Sequence, residues 1–196
     1  MEDADFNCDA YLEYFEKNMG ITTVSQLGNG AYGCAFLTDT GKVLKITTDR
    51  SEAVAACILK DKNLPHVAEV YEVYECVEDY LYVIIKEFVP FHNELKEVFN
   101  EVRYSIPWSL DEEYIEEFRT EAPTKHNLHG ESEIDIVNQI AEMLLDWKVT
   151  GFTSIDAHLG NIGMTDEGVV KLFDFGANGS KGDIKPQVIN LDYATV

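Results

Sequence analysis

Apolar and polar positions recur with two different periods along this chain. From Ile21 to Val89 the apolar residues fall in short β-rich runs, ITTVSQL, YGCAFLT, KVLKIT, VAEVYEVYECV and YLYVIIKEFV, separated by Gly and acidic turns. Such runs predict strands. One segment among them, SEAVAACILKDK (51–62), has helical spacing. Upstream, Phe6, Ala10, Tyr14 and Phe15 recur at helical intervals between Asp3 and Met19, which predicts a short amphipathic helix with a solvated acidic face. Downstream the helical period dominates. WSLDEEYIEEFRTEA (108–122) opens with Ser109 and Glu112 in capping-box spacing. SEIDIVNQIAEMLLDWKVTG predicts a helix that starts at Ser132, buries Ile136, Ile140, Leu144 and Trp147, and stops at Gly151. The intervening PTKHNLHG (123–130) reads as a loop. NIGM and VVKLF then flank TDEG, with Gly168 where a positive φ is most needed, the pattern of a β-hairpin. Strands before Val89 to His92 and helices after them divide the chain into an extension (1–20), a strand-rich part (21–89) and a mainly helical part (90–196), an α+β organisation.

Composition narrows the function classes. The 196 residues are 45% hydrophobic, with 10 Tyr and 10 Phe, enough for a sizeable core. Against 15 Lys and Arg stand 36 Asp and Glu, a formal charge of −21. Such a surface repels a phosphate backbone, so nucleic acid is not expected as a ligand, whereas a basic protein surface is. An acidic mimic of nucleic acid is the alternative. Cys8, Cys34, Cys57 and Cys76 form no C-x-x-C pair, and no apolar leader precedes Asp3, so reduced thiols in a cytoplasmic protein are expected. The longest apolar run, LYVII (81–85), is far short of the roughly 18 residues that span a bilayer, so no membrane partner is expected. His126 and His129 lack a Cys or carboxylate at ligand spacing and are not read as a zinc site.

Three features carry candidate chemistry. Gly28, Gly30 and Gly33 stand in G-x-G-x-x-G spacing between two predicted strands, where bare backbone can approach phosphate oxygens; an ordinary glycine-rich hairpin has the same pattern. A dinucleotide-binding fold would need a helix after these glycines, and another strand follows instead. Lys45 lies in KVLKI, one tight turn beyond the glycines, a candidate to neutralise nucleotide phosphates. Glu52 opens the next helix. It can either finish an N-terminal capping box with Asp49 or hold the Lys45 ammonium, and the ion pair is the preferred reading. The hairpin, in turn, brings Asn161, just before its first strand, close to Asp174, just after its second. Asp174 directly follows a buried strand, where an unpaired charge is costly and a metal would supply the counter-charge.

With these parts in this order, the sequence resembles the protein-kinase family from about Leu27 to Gly176. The glycine loop, VLK in place of a V-A-I-K ending, IIKEFV like the hinge, DAHLGN like the catalytic loop and KLFDFG like the metal-binding DFG segment carry the resemblance. Asp156 precedes Asn161 by five positions, as the catalytic-loop motif requires. His158 stands where protein kinases usually have Lys, and D-x-H-x-G-N is similar to small-molecule phosphotransferases and to small kinases of tailed bacteriophages, which the short chain also resembles. The resemblance implies a bilobal fold, with an antiparallel sheet and one helix in the N-lobe and a reduced, mainly helical C-lobe. It implies ATP and two Mg²⁺ ions. Asp174 would coordinate the ion bridging the β- and γ-phosphates, Asn161 would bind the second, and Asp156 would orient the substrate hydroxyl and accept its proton. Lys45 would clamp the α- and β-phosphates, and His158 would donate to the γ-phosphate. Glu87 C=O and Val89 N–H would meet the adenine edge beneath an apolar roof of Ala35 and Val43, with Lys86 at the normally apolar gatekeeper position.

Departures from the family pattern bear on the acceptor. Ser154 and Ile155 replace the usual His and Arg, removing the docking point for a phosphorylated activation loop. Only twenty residues follow Gly176, with no A-P-E-like segment; Lys181, Lys185 and Pro186 suggest an extended, partly basic tail. The expected function is ATP- and Mg-dependent phosphoryl transfer to a protein Ser/Thr hydroxyl, including the protein's own. The alternatives are a small-molecule phosphotransferase and an inactive kinase-like acidic module that binds and antagonises a partner protein, in a bacterial host's cytoplasm if the origin is viral.

Overall fold

The computed structural model describes residues 8–30, 32–76, 80–152, 154–176 and 186–189. The expectations for Phe6, Lys181 and Lys185 fall outside them. Helix α1 (Asp9–Met19) precedes strands β1 (Thr23–Gly30), β2 (Gly33–Thr38) and β3 (Lys42–Thr47), helix α2 (Arg50–Leu59), and strands β4 (Val70–Cys76) and β5 (Leu81–Glu87). Helices α3 (Asn93–Val102), α4 (Glu112–Lys125) and α5 (Glu131–Lys148) follow, then β6 (Ile162–Met164), β7 (Val170–Leu172) and β8 (Gln187–Ile189). This is a mixed fold with an antiparallel sheet of five strands and several helices. None of the described helices is long and apolar enough to cross a membrane.

The main sheet has the order β1-β2-β3-β5-β4-β8. Its first five strands pair antiparallel, and β8 joins the edge of β4 in parallel, with Tyr74 opposite Gln187 and Cys76 opposite Ile189. The sequence predicts only an extended tail here, because three residues are too few to show a strand period.

Alternation along the strands separates two faces. Cys34, Phe36, Leu44, Ile46, Val83 and Ile85 share one core with Tyr11 and Phe15 of α1. Phe15 meets the Tyr74 ring edge-on at 5.6 Å. A disulfide joins Cys8, at the start of α1, to Cys34 of β2, and Cys57 and Cys76 lie outside it. This corrects the expectation of four reduced thiols: no sequence spacing brings positions 8 and 34 together, but packing α1 on the sheet does. Gly33 is required by the same sheet, since a Cβ there would lie 1.9 Å from the Ile46 carbonyl oxygen of β3.

The opposite face belongs to a second core, continuous from α2 and β4 through α3, α4 and α5 to the β6–β7 hairpin. Ile136, Ile140, Leu144 and Trp147 of α5 are all buried in it. Several helix ends differ from the sequence reading. Helix α4 is preceded by Asp111 as its N-cap residue, and Ser109 Oγ accepts the Asp111 N–H at 3.3 Å instead of capping. It also runs through Pro123 to Lys125, so the first part of the expected loop is helical, and the Pro123 carbonyl accepts from Leu128 N–H at 2.8 Å. Helix α5 starts at Glu131, and the Glu133 carboxylate accepts the N–H groups of Gly130 and His129 at 2.8 and 3.1 Å. His126 is engaged with Ser105 Oγ at 2.8 Å.

Candidate active site

Strand β3 places Lys45 on the sheet face turned toward α2, in register with Ala35 on β2 and Ile84 on β5. Val43 is two residues away on the same face, opposite Lys86. At the start of α2, Asp49 acts as the cap, its Oδ1 accepting Ser51 N–H at 2.8 Å. Glu52 is therefore spared for other work. It is 2% exposed, and its Oε1 stands 2.6 Å from Lys45 Nζ. The same ammonium reaches Asp174 Oδ2 at 2.8 Å, across 129 positions of sequence.

The β6–β7 hairpin sets Asp174 there. Its turn has Gly168 at φ 84°, the positive value the TDEG sequence predicts. Ile162 pairs with Leu172, so Asn161 and Phe173 stand side by side at the open end. The Asn161 carbonyl accepts from Phe173 N–H at 2.8 Å and from Asp174 N–H at 3.3 Å. Asn161 Nδ2 donates to the Asp156 carbonyl at 2.8 Å, which ties the loop that carries Asp156 and His158 to the hairpin and leaves the Asn161 amide oxygen as its remaining acceptor. Gly160 N–H donates to His158 Nδ1 at 2.9 Å. An accepting Nδ1 puts the proton of the neutral ring on Nε2, which lies 3.5 Å from Asp156 Oδ2.

Charge in this site is nearly balanced by contact. Burial works to lower the Lys45 pKa, but Glu52 and Asp174 outweigh it and hold the ammonium above its ordinary value. Burial likewise pushes the Asp174 carboxyl up, and Lys45 and Lys86 together overcome it, so its pKa lies below the usual range. Lys86 is the opposite case. Burial and the neighbouring Lys45 charge lower it to about 8, against the pull of Glu52 and Asp174. The sequence shows this lysine only as an oddity in an apolar run; packing makes it the second cation of the site, 3.9 Å from Glu52 Oε1.

The remaining expected residues lie around this network. Gly28 and Gly30 sit on β1 opposite Ala35 and Gly33; a Cβ would meet open space at Gly28 and only the Gly33 carbonyl oxygen, at 4.0 Å, at Gly30, so their lack of side chains is not a packing requirement. Glu87, at the end of β5, turns its carboxylate to Lys171 Nζ at 2.7 and 2.8 Å and accepts Glu69 N–H at 3.0 Å. Val89 is buried, and the next residue, Pro90, offers its carbonyl to Met164 N–H at 3.0 Å. The segment leaving β5 is thus pinned to the hairpin. Sequence reasoning missed Lys171; its signal is a lone cation between the buried Val170 and Leu172.

Among the described residues no group of three or more His, Cys, Asp or Glu side chains is arranged to hold a metal. The Asp174 carboxylate and the Asn161 amide oxygen are hard donors, a pair that fits Mg²⁺ when phosphate and water complete its shell.

No protein-family model and no curated protein matches this sequence. Among solved structures, the chain is similar to a mutant of the PknI kinase domain of Mycobacterium tuberculosis, at 19% identity and a TM-score of 0.44, over 80% of this chain and 59% of that one. The chain thus spans less than two thirds of the structure it matches.

Proposed function

We propose that this protein transfers the γ-phosphoryl group of ATP to a hydroxyl, a protein Ser or Thr, with Mg²⁺. The observation that carries the reading is one ammonium, Lys45 Nζ, held at 2.6 Å from Glu52 and 2.8 Å from Asp174. In this reading residues 21–89 and 90–196 act as two lobes around the site, with 1–20 as an extension. Glu52 keeps the ammonium extended, so that on nucleotide binding Lys45 turns to the α- and β-phosphates and Asp174 is released as a ligand. Asp174 and Asn161 would hold Mg²⁺, which when bound neutralises phosphate charge. Glu87 C=O and Val89 N–H take the adenine edge under Ala35 and Val43, and the backbone at Gly28, Gly30 and Gly33 covers the phosphates. Asp156 orients the acceptor hydroxyl and takes its proton as the oxygen bonds to γ-phosphorus and the β–γ bridging bond breaks, releasing ADP. His158, with Nε2 as its donor beside Asp156, stabilises the departing phosphoryl group.

The charge of −21 supports a basic protein as acceptor or partner. His158 in D-x-H-x-G-N supports a second reading, transfer to a small hydroxylated molecule. Both are tested by following labelled γ-phosphate from Mg·ATP to the protein itself, to basic proteins and to small polyols. Asp156→Ala and Asp174→Ala are expected to lower transfer by at least about a hundredfold. Labelling that survives in both variants would falsify the assignment, and label only in polyols would select the second acceptor class.

A further inference from the structure

Lys86 has no part in the reaction described above, yet it lies among the reacting groups. At 3% exposure it is no surface lysine, and a buried ammonium is costly unless its donors and charge are satisfied. Its partners are grouped. Lys86 Nζ donates to the Phe173 carbonyl and lies 4.9 Å from the centroid of the Phe175 ring. These two residues flank Asp174.

The peptide unit between Phe173 and Asp174 is therefore held from both ends. Its C=O points to Lys86 and its N–H to the Asn161 carbonyl, 3.3 Å away. Because the unit is planar, fixing both groups fixes where the Asp174 Cα sits. Phe175, on the far side, is fully buried and stacks on Trp147 of α5 at 6.1 Å and 23°. Trp147 Nε1 in turn donates to the Ser154 carbonyl at 2.7 Å, two residues before Asp156.

We propose that Lys86 is a positioning residue that grips the backbone before Asp174 and the ring after it, keeping the Asp174 carboxylate turned toward Lys45. An apolar side chain in its place would fill the volume but remove the cation from both the Phe173 carbonyl and the Phe175 ring. The catalytic consequence rests on the phosphoryl-transfer reading; the grip itself does not.

The test uses the full chain with Trp108→Phe, which removes a tryptophan that is 95% exposed and leaves Trp147 as the reporter of Phe175. Lys86→Met and Lys86→Arg are compared in that background by thermal melting, Trp147 emission and hydrogen exchange at the amides of residues 173–176. In Lys86→Met, Trp147 emission is expected to shift and exchange at those amides to accelerate by about tenfold or more, with a cooperative melt retained. Lys86→Arg, which restores a charged donor, is expected to return exchange toward the parent. With Mg·ATP, Lys86→Met is expected to lower kcat by about tenfold while KM for ATP changes less than about threefold. Emission and exchange identical to the parent in a folded Lys86→Met would overturn the proposal. Should that variant lose its cooperative melt, Phe175→Leu decides, since unchanged exchange on removing the gripped ring would overturn it equally. A parent that turns over no ATP would sink the phosphoryl-transfer reading, while emission and exchange would still decide the grip.

Discussion

Two ammonium groups and two carboxylates, Lys45, Lys86, Glu52 and Asp174, share the site, and although burial lowers the pKa of both lysines, their neighbours leave the two with opposite net shifts. Lys45 lies between Glu52 and Asp174 and is held charged, whereas Lys86 deprotonates more easily, first because it is buried and then because Lys45 is a like-charged neighbour. The difference predicts a pH dependence. With a folded pKa of about 8 against an unfolded value of 10.5, Lys86 binds fewer protons in the folded than in the unfolded chain between those values. Stability therefore rises with pH across that window as far as this group is concerned. Urea unfolding between pH 8 and about 10, a range in which the tyrosines begin to ionise alike in both proteins, is expected to show the midpoint of the parent gaining on that of Lys86→Met as pH increases. A difference that stays flat would mean the ammonium is not held in this buried setting. Both lysines are visible in the sequence as cations in strand-like runs, but nothing local distinguishes their environments.

At the scale of elements, the periods in the chain were good guides to existence and poor guides to ends. The strands, α2, α5 and the hairpin appear where alternation and helical spacing place them, because those periods reflect which face is buried. Helix ends depend on which carboxylate finds which N–H. Glu133 serves α5 without any side-chain partner at Gly130, so Glu133→Ala is expected to cost about 1 kcal/mol in urea unfolding while Glu133→Gln keeps most of it. Pro123 opens the stretch expected to be a loop, yet it lies in the last turn of α4, which continues to Lys125 without an N–H at that position. The three-residue β8 and the Cys8–Cys34 link are contacts between segments remote in sequence, and no spacing rule reports those.

Over the whole molecule, one core runs from α2 under the sheet to the hairpin, so the groups on β3 and those on the hairpin are carried by parts that pack together. If ATP binds between them as proposed, it stabilises the folded chain by mass action. Mg·ATP at about a hundred times its Kd is expected to add roughly 2.7 kcal/mol and raise Tm, with the Mg-dependent part of the shift lost in Asp174→Asn. Equal shifts in the two proteins would remove Asp174 from the binding site. The sequence by itself determined the order of β1 to β7 and of α1, α2, α4 and α5, though not α3, together with the burial of α5 and the closeness of Asn161 to Asp174 through a short hairpin, because each depends on periodicity or a turn of a few residues. The family resemblance already set Lys45 and Asp174 at one nucleotide, but only the tertiary structure showed their direct contact, Lys86 as a buried cation against the Phe173 carbonyl and the Phe175 ring, and the strand that the tail adds at β4. Those contacts arise from how distant faces pack, and packing is a property of the folded chain that no local stretch encodes.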